Sequence, residues 1–383
     1  MQAFWAAMEP LLRNATEVTL ATPGQPAARE ARTSRPPPPS PAQDGTLPSP
    51  GVPSPPSQAT SSPKRPSTTT SVAEDPRASN PAAWRCKVTT RGLRAGTVRA
   101  ARFVPGAETA YAVGASGGLL RWEGQGWSTL PSPEAEARTV RGLALLPEGD
   151  VLIFGEGALL GRVGATGKLD PWSVPDPTVT FHGAHVDAAS GTVTIVGDRP
   201  TVVSPGRGPE NRVATVAQFA LDGRVTLWAD VPASTRLRAV TRTPGGYYLA
   251  CGDWGALVRI ALGVPEFVAS VCGGHLLALD VLPSGTVVTV GAGGHALSIA
   301  QRLTPTLEAV QTTRDLLCLA LGPDGAPWAG AAQARLVRRV GSSWVRMSGE
   351  VGLSCGIIAV TVPQLRRVVA VCDDGAIIEG TLT

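Results

Sequence analysis

The sequence predicts an all-β fold: a seven-bladed β-propeller of four-stranded antiparallel blades across residues 84–383, closed by an N-terminal strand and preceded by a disordered Pro-rich arm. Three observations carry this. One unit recurs, and its landmarks step by 41, 42, 55, 39, 39 and 42 residues from Gly114 through Gly155, Gly197, Gly252, Gly291 and Gly330 to Cys372, about the length of a propeller blade. Charged residues are only 17% while Gly and Pro number 44 and 35, a composition suited to turns and short strands. Upstream of the first unit stands an orphan strand, Trp84-Arg-Cys-Lys-Val-Thr-Thr90, and the last unit ends without an outer strand of its own.

Residues 1–20 place Phe4, Trp5, Met8, Leu11 and Leu12 at helical spacing, which predicts a short amphipathic segment that Pro10 cuts short. Residues 21–83 are dominated by Pro, Ser, Thr and Ala, as in Arg35-Pro36-Pro37-Pro38-Pro39-Ser40-Pro41. Such a stretch cannot bury enough surface to offset the entropy of ordering, so an extended polyproline II spacer is expected. Arg35 with Pro38 and Pro41 also fits a ligand for a polyproline groove, a match that any Pro-rich arm produces. Glu9 and Pro10 interrupt the apolar core a signal peptide needs, and no later run reaches the length of a membrane span, so a cytoplasmic chain without a transmembrane segment is expected.

Each repeat unit reads as an apolar strand, a turn with Pro or Gly, a second strand ending in Gly, a short turn and a third strand of alternating apolar residues. Thr243-Pro244-Gly followed by Cys251-Gly252-Asp-Trp-Gly-Ala-Leu-Val is one copy. The 55-residue step places an insertion in the third blade, at the loop-like run from Ser204 to Arg212. Outer strands are marked by Trp127, Trp172, Trp228, Phe267 and Trp344, with Leu307 in the remaining complete copy. The seventh unit lacks one, so Trp84 to Thr90 is expected to pair with Ala376 to Thr383 and cover the exposed edge.

The net charge of +4 is mild, and Arg is interleaved with Asp and Glu, so nucleic acid is not an expected partner. Cys86, Cys251, Cys272, Cys318, Cys355 and Cys372 form no Cys-x-x-Cys pair. Most lie in apolar strand-like runs, which favours buried free thiols over a disulfide or a metal site. No cofactor is expected.

Tyr111-Ala-Val-Gly114-Ala-Ser-Gly117-Gly-Leu-Leu-Arg-Trp122-Glu-Gly-Gln-Gly-Trp127 resembles the repeat unit of bacterial propellers related to photosystem II assembly factors and sialidase-type repeats. The resemblance spans residues 84–383 and implies the architecture; the families that share it include binding proteins, sensors and hydrolases. A Ser-x-Asp-x-Gly-x-Thr-Trp box is absent. The tyrosines, Tyr111, Tyr247 and Tyr248, all fall in expected second strands, which argues against a sialidase nucleophile.

Ser116 sits in a formal Gly-x-Ser-x-Gly match, but between two strands rather than at the strand-to-helix turn a nucleophile elbow needs. His182 and His185 are three apart, which in a strand puts them on opposite faces, so no metal site is read there. His275 and His295 share the fifth unit and could face each other across one rim. Aligned on the Pro of the first turn, the innermost strands start with Arg99, Arg141, Gly183, Arg238, Leu277, Leu317 and Ile357. Two positions earlier stand Thr97, Thr139, Phe181, Arg236, His275, Asp315 and Cys355. Beside them come the turns with Glu156, Asp198, Asp253, Trp254, His295, Asp373 and Asp374. One channel mouth is therefore expected to hold Arg on the early blades and carboxylates on the late ones.

The reading that follows is a monomeric, non-catalytic binding or scaffold module. A protein partner or a small anionic ligand would bind Arg99, Arg141, Arg236 and Arg238, with Trp254 as a stacking face and His275, Asp315, Asp253 and Asp373 completing the rim. Two alternatives stand beside it: a sensor or regulatory part of a larger bacterial signalling protein of kinase type, and a carbohydrate-active hydrolase built on Asp253, Asp373 and Asp374.

Overall fold

The computed structural model describes residues 84–382 apart from 91–97, 105–106, 115–116, 131–138, 202–211, 232, 234 and 348–350. The amphipathic segment, the Pro-rich arm, Ser116, Thr97 and most of the third-blade insertion lie outside the described residues. The rest forms seven antiparallel blades in a ring, and no helix among the described residues is long and apolar enough to cross a membrane. The innermost strands are Val98–Phe103, Val140–Leu145, Thr180–Asp187, Leu237–Arg242, Leu276–Val281, Leu316–Leu321 and Ile357–Gln364.

Strand alternation sends apolar side chains to both faces of each sheet, so a blade cannot bury itself alone and must stack on two neighbours. The core obeys this: it breaks into separate clusters, each sandwiched between adjacent blades. Leu143, Ile153 and Leu159 of the second blade meet Val113 and Leu119 of the first. Val98, Ala101 and Trp122 of the first blade meet Val369, Val371 and Ile377 of the seventh.

Trp84–Thr90 runs antiparallel to Ile377–Leu382 as the outer strand of the seventh blade, with Trp84 opposite Leu382 and Lys87 opposite Glu379. The Trp84 indole is buried edge-on against Trp328 of the sixth blade, with ring centroids 4.9 Å apart. Two outer-strand features differ from the sequence reading. Trp172 follows the short strand Leu169–Pro171 instead of lying in it, and packs on Phe219 of the third blade. The sixth sheet carries a fifth strand, Ala309–Val310, parallel to Ser343–Arg346. It is held by Glu308, whose buried carboxylate accepts hydrogen bonds from Arg339 and from Trp344 Nε1 at 2.8 Å.

Candidate functional site

In all seven blades the innermost strand falls out of step with the second strand at the same place. The shifts lie between Val98 and Ala100, Val140 and Gly142, Phe181 and Gly183, Leu237 and Ala239, Leu276 and Ala278, Leu316 and Cys318, and Ile357 and Ala359. Such a bulge leaves one residue unpaired and re-aims its side chain. The residues released are Arg99, Arg141, His182, Arg238, Leu277, Leu317 and Ile358, one from each blade at a common mouth. Blades one to four contribute ionisable groups and blades five to seven contribute aliphatic ones.

The register corrects the sequence alignment in two blades. His182 and Ile358, not Gly183 and Ile357, occupy the bulge, and Thr180 and Gly356, not Phe181 and Cys355, stand two residues before it. Alignment on the first-turn Pro failed there because the turn after Thr180–Asp187 holds no Pro and Pro363 lies inside the strand Ile357–Gln364.

The landmark glycines hold this mouth together. A Cβ on Gly155, Gly197, Gly252 or Gly291 would stand 2.1, 2.0, 2.0 or 1.9 Å from the carbonyl oxygen of the residue two before the bulge, which is Thr139, Thr180, Arg236 or His275. In three of these blades the same carbonyl accepts the next backbone N–H, as from Asp253 to Arg236 at 2.9 Å. In the sixth blade the residue at this register is Ala331, not the Gly330 read from the sequence, and in the seventh it is Cys372.

The carboxylates that follow these landmarks pair within their own blades. Arg141 bonds Glu156, His182 Nε2 lies 2.6 Å from Asp198, and Arg238 grips Asp253 through two hydrogen bonds of 2.8 and 3.1 Å. The expected separation into an arginine side and a carboxylate side is thus replaced by ion pairs on blades two to four facing an aliphatic arc. The Arg141 hydrogen bond holds the Glu156 carboxyl below its ordinary range. Burial alone would raise Asp198, but hydrogen bonds from His182 and Arg212 outweigh it and hold that carboxyl low as well. No ion pair is formed by Arg99 or Arg236 among the described residues.

The fourth blade adds an aromatic. His275 Nδ1 lies 3.2 Å from Asp253, the Trp254 N–H points at the same nitrogen at 3.4 Å, and the indole stacks on the imidazole at 4.9 Å. One blade further on, the Gly293 N–H donates to Asp315 at 2.8 Å, so Asp315 is spent on a backbone contact equivalent to that of His275. In the seventh blade, a hydrogen bond to Cys355 together with burial pushes the Cys372 thiol up, and Asp374 stands beside the pair. His295 turns to the Ala292 carbonyl at 2.6 Å instead of facing His275. His185 packs on Tyr248, and burial lowers its proton affinity.

Deeper in the channel, burial lowers the proton affinity of Arg102 and raises that of Asp280. Arg102 is exposed to solvent and Asp280 partly so although protein surrounds them closely, as expected of groups lining a channel. An apolar hollow of about 430 Å³ between Val104, Leu145, Leu146 and Val186 lies at the opposite end of the innermost strands. Shape alone therefore does not pick out the charged mouth; the repeated bulges and their chemistry do.

Fold and site define a seven-bladed β-propeller with a polar-and-aliphatic mouth. No protein-family model matches the chain, and no curated protein matches it. Among solved structures it is similar to the selenomethionine-substituted virginiamycin B lyase from Staphylococcus aureus, at 12% identity and a TM-score of 0.65 over 78% of this chain and 100% of that one. A catalytically inactive variant of that lyase with quinupristin gives 11% and 0.64 over 78% and 100%. A streptogramin B lyase gives 11% and 0.64 over 78% and 98%. Identities this low carry the fold alone, and 1174 solved chains match it, so the likeness does not choose among functions.

Proposed function

We propose that the chain is a non-catalytic recognition module that binds at the bulged mouth, taking an anionic group of a protein partner or small ligand against blades one to four. The observation that carries this is Trp254. In blades two, four, five and six the second residue after the landmark is left-handed, with φ of 60°, 58°, 67° and 61° at Gly157, Trp254, Gly293 and Gln333. Two of the four are glycine, for which this conformation is free; Trp254 holds it at a cost of roughly 1 kcal/mol and still leaves 62% of its surface exposed. Leu262 is also strained and exposed, at a turn on the other face, so strain alone marks nothing. Trp254 differs in its setting beside His275 and the Arg238–Asp253 pair.

Arg99 and Arg236 supply guanidinium groups free to fork onto a carboxylate or phosphate, and Leu277, Leu317 and Ile358 supply an apolar wall. Binding is favoured over glycoside hydrolysis because Asp253 is already engaged by two cations or hydrogen-bond donors. The test is affinity capture from native lysate with the full chain, its Trp254→Gly variant and an Arg99→Ala/Arg236→Ala variant. Trp254→Gly is expected to unfold no earlier than the parent, with up to about 1 kcal/mol of added stability, yet to lose the captured molecule. Retention by both variants would place recognition elsewhere.

A further inference from the structure

At the landmark where blades one to five carry glycine and blade six alanine, the seventh blade carries Cys372. Its thiol does not point into empty space. Cys355, in the loop that leads into Ile357–Gln364, and Asp374, in the turn after Cys372, bring a sulfur and a carboxylate oxygen to it, and the three donor atoms all lie within 4.8 Å of one another. Around a tetrahedral zinc ion, with bonds of about 2.3 Å to sulfur and about 2.1 Å to oxygen, neighbouring donors stand roughly 3.5–3.8 Å apart. The observed limit of 4.8 Å puts the cluster within about an ångström of that spacing.

Each donor is held from behind. Asp374 Oδ1 accepts the Ala376 N–H at 2.8 Å, leaving its other oxygen for a ligand. The Cys355 carbonyl accepts the Ala334 N–H at 2.6 Å, and the Asp373 N–H donates to Gly356 O at 2.8 Å, tying the lead-in loop to the turn. The Asp373 carbonyl takes the Val98 N–H, and Trp127 Nε1 donates to Gly375 O at 2.7 Å, so the first blade braces the same turn. Orientation of this kind tunes a metal site as much as the ligands do. A groove of about 270 Å³ lined by Ala334, Leu353 and Ser354 lies beside the loop that carries Cys355, and Asp374, the partly exposed member of the cluster, marks its side toward solvent.

We infer that Cys355, Cys372 and Asp374 form a binding site for a thiophilic divalent cation of the zinc class, with three protein ligands and a fourth position for water or a partner's side chain. The two thiols of the free protein lose their protons when the ion binds, so one cation displaces two protons and is held by two thiolates and one carboxylate. The site stands independently of the recognition reading, since it uses none of the same side chains.

The full chain, reduced and stripped with chelator, is titrated with Co²⁺ and then with Zn²⁺. A thiolate-to-cobalt charge-transfer band with tetrahedral d–d absorption is expected to grow to one equivalent and to disappear as Zn²⁺ displaces the cobalt. Two thiols should become protected from a thiol reagent at the same stoichiometry. Cys355→Ser and Cys372→Ser should each abolish the band. The half-exposed Asp374→Asn, which leaves the buried thiols in place, should keep it and weaken affinity on the order of tenfold. A chain that binds no cobalt with both thiols reduced, or a band that survives either serine variant, overturns the site.

Discussion

Gly252, Asp253 and Trp254 are consecutive, and each answers to a different force. Gly252 is extended, so its freedom at positive φ is irrelevant; it is glycine because the Arg236 carbonyl fills the place of a Cβ. Gly252→Ala is therefore expected to cost about 2 kcal/mol or more, since the 2.0 Å overlap is with backbone that cannot rotate away. Chemical denaturation measures this, and a loss under about 0.5 kcal/mol would mean the mouth is softer than this contact implies. Asp253 holds Arg238 of its own blade and His275 across the blade boundary, and Trp254 accepts strain to stay exposed. The repeat makes the glycine visible in the sequence, but nothing in the sequence says that a carbonyl is what excludes a side chain there.

The strands show the same division. Alternating apolar residues and turn signals mark where the strands lie, because side-chain period and turn chemistry are local properties. Pairing register is not local. His182 takes the bulge position in blade three because Phe181 pairs with Gly197 and Gly183 with Val196, and the short parallel strand Ala309–Val310 exists because Glu308 meets Arg339 and Trp344 from 31 and 36 residues away. Trp84 tests the element that completes the seventh blade. Trp84→Ala removes a buried indole stacked on Trp328 and is expected to cost about 3–5 kcal/mol, read from the shift in the denaturation midpoint. The same variant should associate on warming, seen by light scattering, as the edge of Ile377–Leu382 opens. A variant as stable as the parent would show that this strand contributes little to the ring.

At the scale of the whole ring, ion pairs between and within blades set the response to acid. Loss of solvent contact acts to raise Asp198, which is buried, Glu379, which is partly so, and to a lesser degree exposed Asp324, yet hydrogen bonds and nearby cations hold each low; Asp187 is held low first by its bond from Ser190. A carboxyl that binds its proton more weakly in the folded chain than in the unfolded one makes unfolding take up protons. Its contribution is complete above the unfolded value of about 4 and is lost as pH falls through the lower folded value. Asp280, raised by burial, acts in the opposite sense, but among the described residues it stands against six lowered carboxyls, these four with Glu156 and Asp176. The melting temperature should thus decline slightly below about pH 6.5, where the unfolded chain takes up a proton that buried His185 resists, and drop steeply below about pH 4. A melting temperature that rises between pH 5 and pH 3 would contradict this balance.

The repeat, its blade-length period and the composition were enough to specify a seven-bladed all-β ring, because hydrophobic alternation and turn residues act over a few positions and seven copies reinforce one another. The candidate rim residues were also named from the sequence, including Arg238, Asp253, Trp254 and His275. Which of them meet was decided only in three dimensions. The ion pairs depend on a bulge in every blade, and a bulge is a relation between two strands that neither strand's residues announce. Cys355 and Cys372 read singly as small buried hydrophobes; only the antiparallel pairing that sets Ile357 opposite Cys372 brings the loop and the turn to one end of the blade and their sulfurs beside Asp374.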